Sequence, residues 1–462
     1  MIAAQRLTQE VGGVAQTLDL VSGFDEALVH GFGRLGEQRQ AALSALAGAF
    51  AATPLGDRLA EASGKVAAGS VSEDHLAVLA GGRSALLGAV HDALLSHLDE
   101  ALGRSRMPWE VRAAAGSEAA NLLAGARAWL TELAITGWRG VDHDLVSAAG
   151  QVIETLLAEP ELRRLAVLLD GFAGELRACC PVAAQPQVPV RRWADLWSRA
   201  MLLAQPGFLR TASGGPISGR FLPLGVDVHE HPTAVQAQVH GLLEAGPGAP
   251  RLVRASVSAG KVDTITGPAV WRLLRGHPAL LAALAEHRSL DLTGMTLLDS
   301  GDLLWEDTRA AAGEPADPFA TARVQLAAAV AAPVPPLDRH PVRIAEPVLL
   351  EGYTTAAEGG ACTLALGGHP LAVDVERLPS CGPLTPELVA GSSAMLGLLR
   401  WDAGRWLVQP LAVQATVKRK PITVHTGDWA MGPTDPKAAK AEAAAGDAVA
   451  VLRERAGRLL RR

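Results

Sequence analysis

The chain has 462 residues, 49% hydrophobic and 19% charged, with a formal net charge of -6. That length sets a prior of roughly two to four domains, and the apolar content is enough to bury packed cores, which excludes global disorder. The acidic balance argues against a surface that neutralises many phosphates, so nucleic acid is disfavoured as a partner and at most a local basic patch remains.

Four cysteines, Cys179, Cys180, Cys362 and Cys381, lack zinc-site spacing and are too few for a secreted disulfide framework. The opening MIAAQRLTQEVGG has no apolar signal-peptide core, and no uninterrupted apolar run reaches the roughly 18 residues a membrane span needs. A soluble cytoplasmic protein without membrane association is expected.

Residues 1–180 read as an all-helical domain. Ser70 and Glu73 have capping-box spacing, and Leu76, Leu79, Leu86, Val90, Leu94 and Leu98 then recur at helical steps on one stripe. Further helices are predicted at about 24–52, 109–136, 142–158 and 161–178, punctuated by Pro54, Pro108 and Pro160. Short connections favour a bundle or helical hairpins. Residues 181–190, with PVAAQPQVP, read as a Pro-rich linker. RRWADLWSRAMLL follows as a short amphipathic helix.

Residues 191–430 then change period and read as a β-rich antiparallel α+β domain. Val235, Ala237 and Val239 alternate with Gln236, Gln238 and His240, the pattern of a half-buried strand, and 252–257 returns as its partner. Helices are expected at 267–287, 318–332 and 385–396, with short strands near 295–305, 342–353, 362–366 and 371–376. The strongest element is a hairpin over 395–417. Asp402-Ala403-Gly404 forms its connection, Gly404 supplies the positive φ, and Pro410 marks an edge or a bulge. Residues 431–462 comprise a second linker, GPTDP, and an Ala-rich C-terminal helix ending in Arg453, Arg455, Arg458, Arg461 and Arg462, cations that suit a helix C-terminus.

No motif of high specificity accompanies these elements. His229 and His231 are the sharpest metal candidates, because residues i and i+2 of a strand point the same way, with His240 a possible third ligand. Exposed histidines on a polar strand face are the plainer reading. Cys179 and Cys180 fall at a helix C-terminus, the wrong dipole end for a thiolate nucleophile. Ser213–Gly219 reads as a surface loop without a phosphate-cradling pattern, and Asp374 with Glu376 as a carboxylate pair on one strand face. Lys418, Arg419 and Lys420 offer a local basic patch for single-stranded nucleic acid, without interleaved aromatics. The ten tryptophans against one tyrosine make Trp193, Trp197, Trp401 and Trp406 candidates for a protein interface.

RRWADLWSRAMLL at 191–203 and LGLLRWDAGRWLVQPLAVQ at 396–414 resemble segments of uncharacterised actinobacterial proteins encoded beside MoxR-type AAA+ ATPases, von Willebrand A proteins and SWIM zinc-finger proteins. The chain itself lacks the CxC…CxH pattern of a SWIM finger and both Walker motifs. The resemblance implies a non-catalytic component of an ATPase-linked assembly, with a protein partner, such as an AAA+ ATPase, and no cofactor. The expectation is therefore an interaction or scaffold protein of a bacterial multi-protein complex, with the balance against catalysis. The alternatives are a metal-assisted enzyme using His229 and His231, and a single-stranded nucleic-acid binder.

Overall fold

The computed structural model describes residues 4–7, 9–110, 121–206, 213–358, 360–444, 450–451 and 454–455. Its N-terminal region is helical: α1 (Ala4–Leu7), α2 (Val14–His30), α3 (Glu37–Gly48), α4 (Gly56–Ala67), α5 (Glu73–Leu102), α6 (Leu123–Thr136), α7 (His143–Ser147), α8 (Ala149–Ala158), α9 (Arg163–Cys179) and α10 (Val190–Leu203). The predicted helix 109–136 is seen from 123 onward; its stretch 111–120 lies outside the described residues.

The organising helix is α5, whose cap is Ser72 rather than Ser70. The Ser72 backbone is extended and its hydroxyl accepts the His75 N–H at 3.3 Å, while the Ser70 carbonyl pairs with the His75 ring. Gly103, with φ 64°, ends the helix 30 residues later. At about 45 Å, it is long enough to serve two cores. Leu76, Leu79, Leu86 and Leu87 pack into the helical core, whereas Val90, Leu94, Leu95 and Leu98 pack against a β-sheet.

The helical domain extends past residue 180. Val182 is buried in its core and Val188 and Val190 pack against it, so 181–190 is anchored to that core at both ends while most of its other residues are exposed. The first helix expected to belong to the β region, α10, completes this core instead. Trp193 and Trp197 are fully buried, and their indole N–H groups donate to Glu175 and to the Leu130 carbonyl. Neither presents a surface to a partner, which corrects their assignment as interface residues. A buried ion pair, Arg83 Nε to Asp25 at 2.6 Å, ties α5 to α2 beneath them.

The rest of the chain is mainly antiparallel β with short helices, giving the α+β architecture expected. It divides between two sheets. The first uses β1 (Gly214–His231), β2 (Ala234–Glu244), β3 (Arg251–Gly260), then α11 (Val270–Leu273), α12 (Pro278–Ala285), β4 (Arg288–Leu298), β5 (Asp302–Leu304) and β6 (Ala310–Pro315). Its order is β1-β2-β3-β5-β4-β6, and β1 also pairs with β4, so the ladder closes into a barrel. The alternation read at 235–240 holds: Val235, Ala237 and Val239 point into the barrel core with Val253, Ala255 and Val257. Residues 214–219, expected to be a loop, open β1 and pair with β4.

After α13 (Pro318–Gln325), the second sheet uses β7 (Ala345–Glu351), β8 (Tyr353–Glu358), β9 (Ala361–Leu366), β10 (His369–Val373), α14 (Pro386–Ala390), β11 (Ser392–Asp402), β12 (Arg405–Val417) and β13 (Lys420–His425). Its order is β7-β11-β12-β10-β9-β8, with β13 also on β12. The predicted hairpin is β11–β12. Its connection is two residues, since Asp402 pairs with Arg405, and both Ala403 (φ 48°) and Gly404 (φ 77°) are left-handed. Of the two readings of Pro410, the bulge is correct. The register slips opposite it and leaves Leu411 as the extra residue in a central strand. The predicted helix 385–396 stops at Ala390 because β11 begins at Ser392, and 318–332 shortens to α13. Of the C-terminal helix, α15 (Pro436–Ala444) is seen; Arg453, Arg458, Arg461 and Arg462 lie outside the described residues.

The two sheets meet where each is bulged. β1 slips between Pro223 and Gly225, and the extra Leu411 of β12 sits on Gly225, so closely that a Cβ there would lie 2.8 Å from the Leu411 Cβ. Leu222, Leu224, Phe319, Leu396 and Ala412 fill a small apolar core around this contact. The Thr426 hydroxyl donates to the Val226 carbonyl at 2.6 Å.

Beside it, Asp227 of β1 accepts from Arg400 Nη2 of β11 (2.6 Å) and Gln409 Nε2 of β12 (2.7 Å), and Arg400 Nε donates to Gln409 (2.6 Å). All three are buried. Burial alone would raise the Asp227 carboxyl, but the hydrogen bond from His229 and the Arg400 charge hold it well below the usual carboxylate range. The helical domain joins the second sheet through Arg104 and Arg106, which both reach Glu346 at 3.0 Å.

Two outcomes follow from the seam. Arg400→Leu strands a buried carboxylate, so urea unfolding should show a loss of about 3–5 kcal/mol. Gly225→Ala, which pushes Leu411 outward, should cost about 1–3 kcal/mol. Because Asp227 is more acidic in the folded chain than its unfolded value of about 4, its contribution is full above that pH and is lost as the pH falls further. Asp227→Asn should therefore flatten the acid limb of the stability curve, and a parallel acid limb in the variant would refute the assignment.

Candidate metal centre

At one end of this seam three chemistry-bearing side chains converge, one from the barrel and two from the second sheet. His287 sits between α12 and β4. Its backbone is left-handed (φ 50°), and its carbonyl accepts the Ala316 N–H at 2.8 Å. A non-glycine residue in that region is a conformational outlier that the surroundings must hold in place. His425 is the last residue of β13, register-paired with Ala412. Asp428 follows on a tight turn through Gly427, where a Cβ would press on Val226 and Leu284 at 3.1 and 3.3 Å.

The turn aims the carboxylate. Asp428 Oδ2 accepts the His425 backbone N–H at 3.0 Å, and Oδ1 accepts from His287 Nε2 at 2.8 Å. The two imidazole rings lie 4.2 Å apart, with the Phe319 ring 5.9 Å from that of His425. One ligand atom from each of His287, His425 and Asp428 falls within 4.8 Å of the other two. Among the described residues this is the one group of three or more such side chains placed to hold a metal ion.

The electrostatics suit a cation ligand set. His425 is 4% exposed and its Nε2 has no hydrogen-bond partner. Burial first, and then the neighbouring His287, push its pKa down to about 4 against the opposing pull of Asp428. The ring is therefore neutral near pH 7, with a nitrogen lone pair free to ligate. Two imidazoles and one carboxylate form a donor set suited to zinc or ferrous iron, with room in the coordination sphere for further ligands. The His425 backbone N–H, bonded to Asp428 Oδ2, supplies the outer support that such sites use to orient a ligand.

The residues singled out by sequence lie elsewhere. His229 Nε2 is 2.7 Å from the Asp227 carboxylate, and His231 Nδ1 is 3.0 Å from the Thr233 hydroxyl. They share a strand as expected, yet each has its own protein partner, and neither belongs to the three-ligand cluster. His240 is buried opposite Gly225 and joins neither of them. Asp374 and Glu376 are past the end of β10 in a helical turn rather than on a strand face, and Asp374 pairs with Arg377. Burial, and then the Asp142 charge, raise the Cys180 thiol, which disfavours a thiolate.

Lys418, Arg419 and Lys420 form the exposed β12–β13 hairpin tip, with left-handed Lys418 (φ 51°) and Arg419 (φ 66°) as its turn. Trp401 and Trp406 pack edge-to-face at 5.2 Å at the other end of the same sheet, Trp406 buried and Trp401 partly so.

Sequence reading missed His287, His425 and Asp428. Only His425 and Asp428 carry a local signal, an HTGD turn with ligands three apart; His287 lies 138 positions from His425 with no motif around it. Their convergence overturns the expectation that weighed against catalysis. No helix among the described residues is long and apolar enough to cross a membrane. No family model, curated protein or solved structure matches the chain.

Proposed function

We propose that the chain is a metal-dependent enzyme whose divalent transition-metal site is His287, His425 and Asp428. The observation that supports this most is the convergence of His287, His425 and Asp428, one ligand atom of each within 4.8 Å of the other two, on a His425 ring that is buried and whose Nε2 has no hydrogen-bond partner. An unsatisfied buried polar atom is costly in an ordinary core and is explained where a ligand completes it.

Each residue has a distinct task. His425 supplies a fixed nitrogen from the buried side. Asp428 supplies the negative charge and is kept in place by the His425 N–H. His287, one-third exposed in its side chain, closes the site from the outer side; its Nε2 now hydrogen-bonds Asp428, and it would ligate through that nitrogen with the ring proton on Nδ1. A bound divalent ion would act as a Lewis acid, polarising a water or a substrate oxygen for hydrolysis. The ligands come from both sheets, so metal binding also fastens the seam.

The chain, stripped with chelator and dialysed against zinc or cobalt, should retain about one equivalent by elemental analysis, the number set by a single three-ligand site. His425→Ala and Asp428→Asn should each lose most of it, and His231→Ala should keep it. Hydrolysis of a panel of activated esters and phosphoesters should appear with metal and vanish with chelator. Unchanged metal content in the His425 and Asp428 variants would remove the site, and turnover indifferent to metal would remove the enzymatic reading.

A further inference from the structure

The barrel has a second polar face that its sequence suggests is solvated and the structure covers. On β1, β2 and β3 the residues alternating with the core point outward together. Asp227 stands opposite Gln238, His240 opposite Arg254, and Arg254 opposite Asp302 of β5. The helical domain and the second sheet lie over this face and leave a cleft of about 510 Å³. Its floor is therefore a row of polar side chains, with Arg400 of β11 reaching in from the wall.

His240 stands at the centre of the row. It is 1% exposed, and its Nε2 has no hydrogen-bond partner. Burial, reinforced by the charges of Arg254 and Arg400, pushes its pKa down to about 3 against the pull of Asp227, so the ring is neutral and offers one N–H donor. The two guanidiniums are already oriented. Arg254 is held by Asp302 through Nε (2.9 Å) and Nη2 (3.0 Å), and Arg400 is held by Gln409 and Asp227 through Nε and Nη2, both at 2.6 Å. Each keeps Nη1 outside those bonds. A planar guanidinium fixed on one edge presents its remaining donors without further loss of side-chain freedom, and its geometry matches an oxyanion.

We propose that this cleft binds a small molecule through an oxyanion group, phosphate or carboxylate, held by Arg254 and Arg400 with His240 as the neutral third donor. A cation is disfavoured by the same two guanidiniums. An apolar ligand would leave the polar floor unpaired. The carboxylates that orient the arginines offset part of their charge, so a bare anion binds modestly and the rest of the molecule adds affinity through the volume of the cleft. The site shares no residue with His287, His425 and Asp428, so it stands or fails independently of the metal centre.

Isothermal titration of the full-length chain at constant ionic strength tests it, with inorganic phosphate in one arm and citrate in the other. Saturable one-site binding is expected in at least one arm, and the stronger arm identifies the oxyanion. Arg254→Gln and His240→Phe should each weaken it by about tenfold or more, near 1.4 kcal/mol. If a variant does not fold, phenylglyoxal labelling of the parent replaces it: the saturating anion should slow modification of Arg254 and leave that of the exposed Arg419 unchanged. No saturable binding in either arm, equal binding by folded variants, or unprotected Arg254 would overturn the proposal.

Discussion

A buried carboxylate, Asp227, is the constraint on which the β half of this protein depends. It sits on the barrel beside His229, but two of its partners, Arg400 and Gln409, belong to the other sheet. Removing water from a charge is unfavourable unless partners replace it, so the two sheets must dock in one register for Asp227 to be tolerated. The neighbouring contact of Leu411 on Gly225 sets the same register by shape. Apolar packing supplies the drive, and the ion pair and the bulges select the arrangement.

The candidate metal centre follows from that arrangement. His287 comes from the barrel, and His425 and Asp428 come from the second sheet, so the cluster exists only when the seam is closed. Thr426, between the two second-sheet ligands, is itself bonded to Val226, one residue from Asp227. The same chain segment thus fastens the sheets and positions the ligands. The covered polar face of the barrel is a second product of the docking: the overlying sheet turns a strand face that would be solvated in isolation into the floor of a cleft.

What could be read from the sequence was local. The alternation at 235–240 identified a strand and its inward side correctly, and the apolar runs around Ala403-Gly404 identified the hairpin, because both depend on neighbouring residues. The fate of the outward side did not depend on neighbours. Gln238 and His240 look solvated until a second sheet arrives from more than 100 positions away. The tryptophans show the same limit. Trp193 and Trp197 have the amphipathic spacing of a partner-binding helix, but the partner is the chain's own helical domain. Metal-ligand spacing on one strand drew attention to His229 and His231, while the ligands that converge come from two sheets and from a turn whose only signal is His425 and Asp428 at three residues.

The measurement that bears most directly on this account is X-ray absorption spectroscopy at the metal edge of the zinc-loaded protein. A site at His287, His425 and Asp428 gives a first shell of nitrogen and oxygen with multiple scattering from two imidazoles, reduced to one imidazole in His287→Ala. Sulfur in the first shell, or a two-imidazole signal that survives that substitution, would place the ion elsewhere and contradict it.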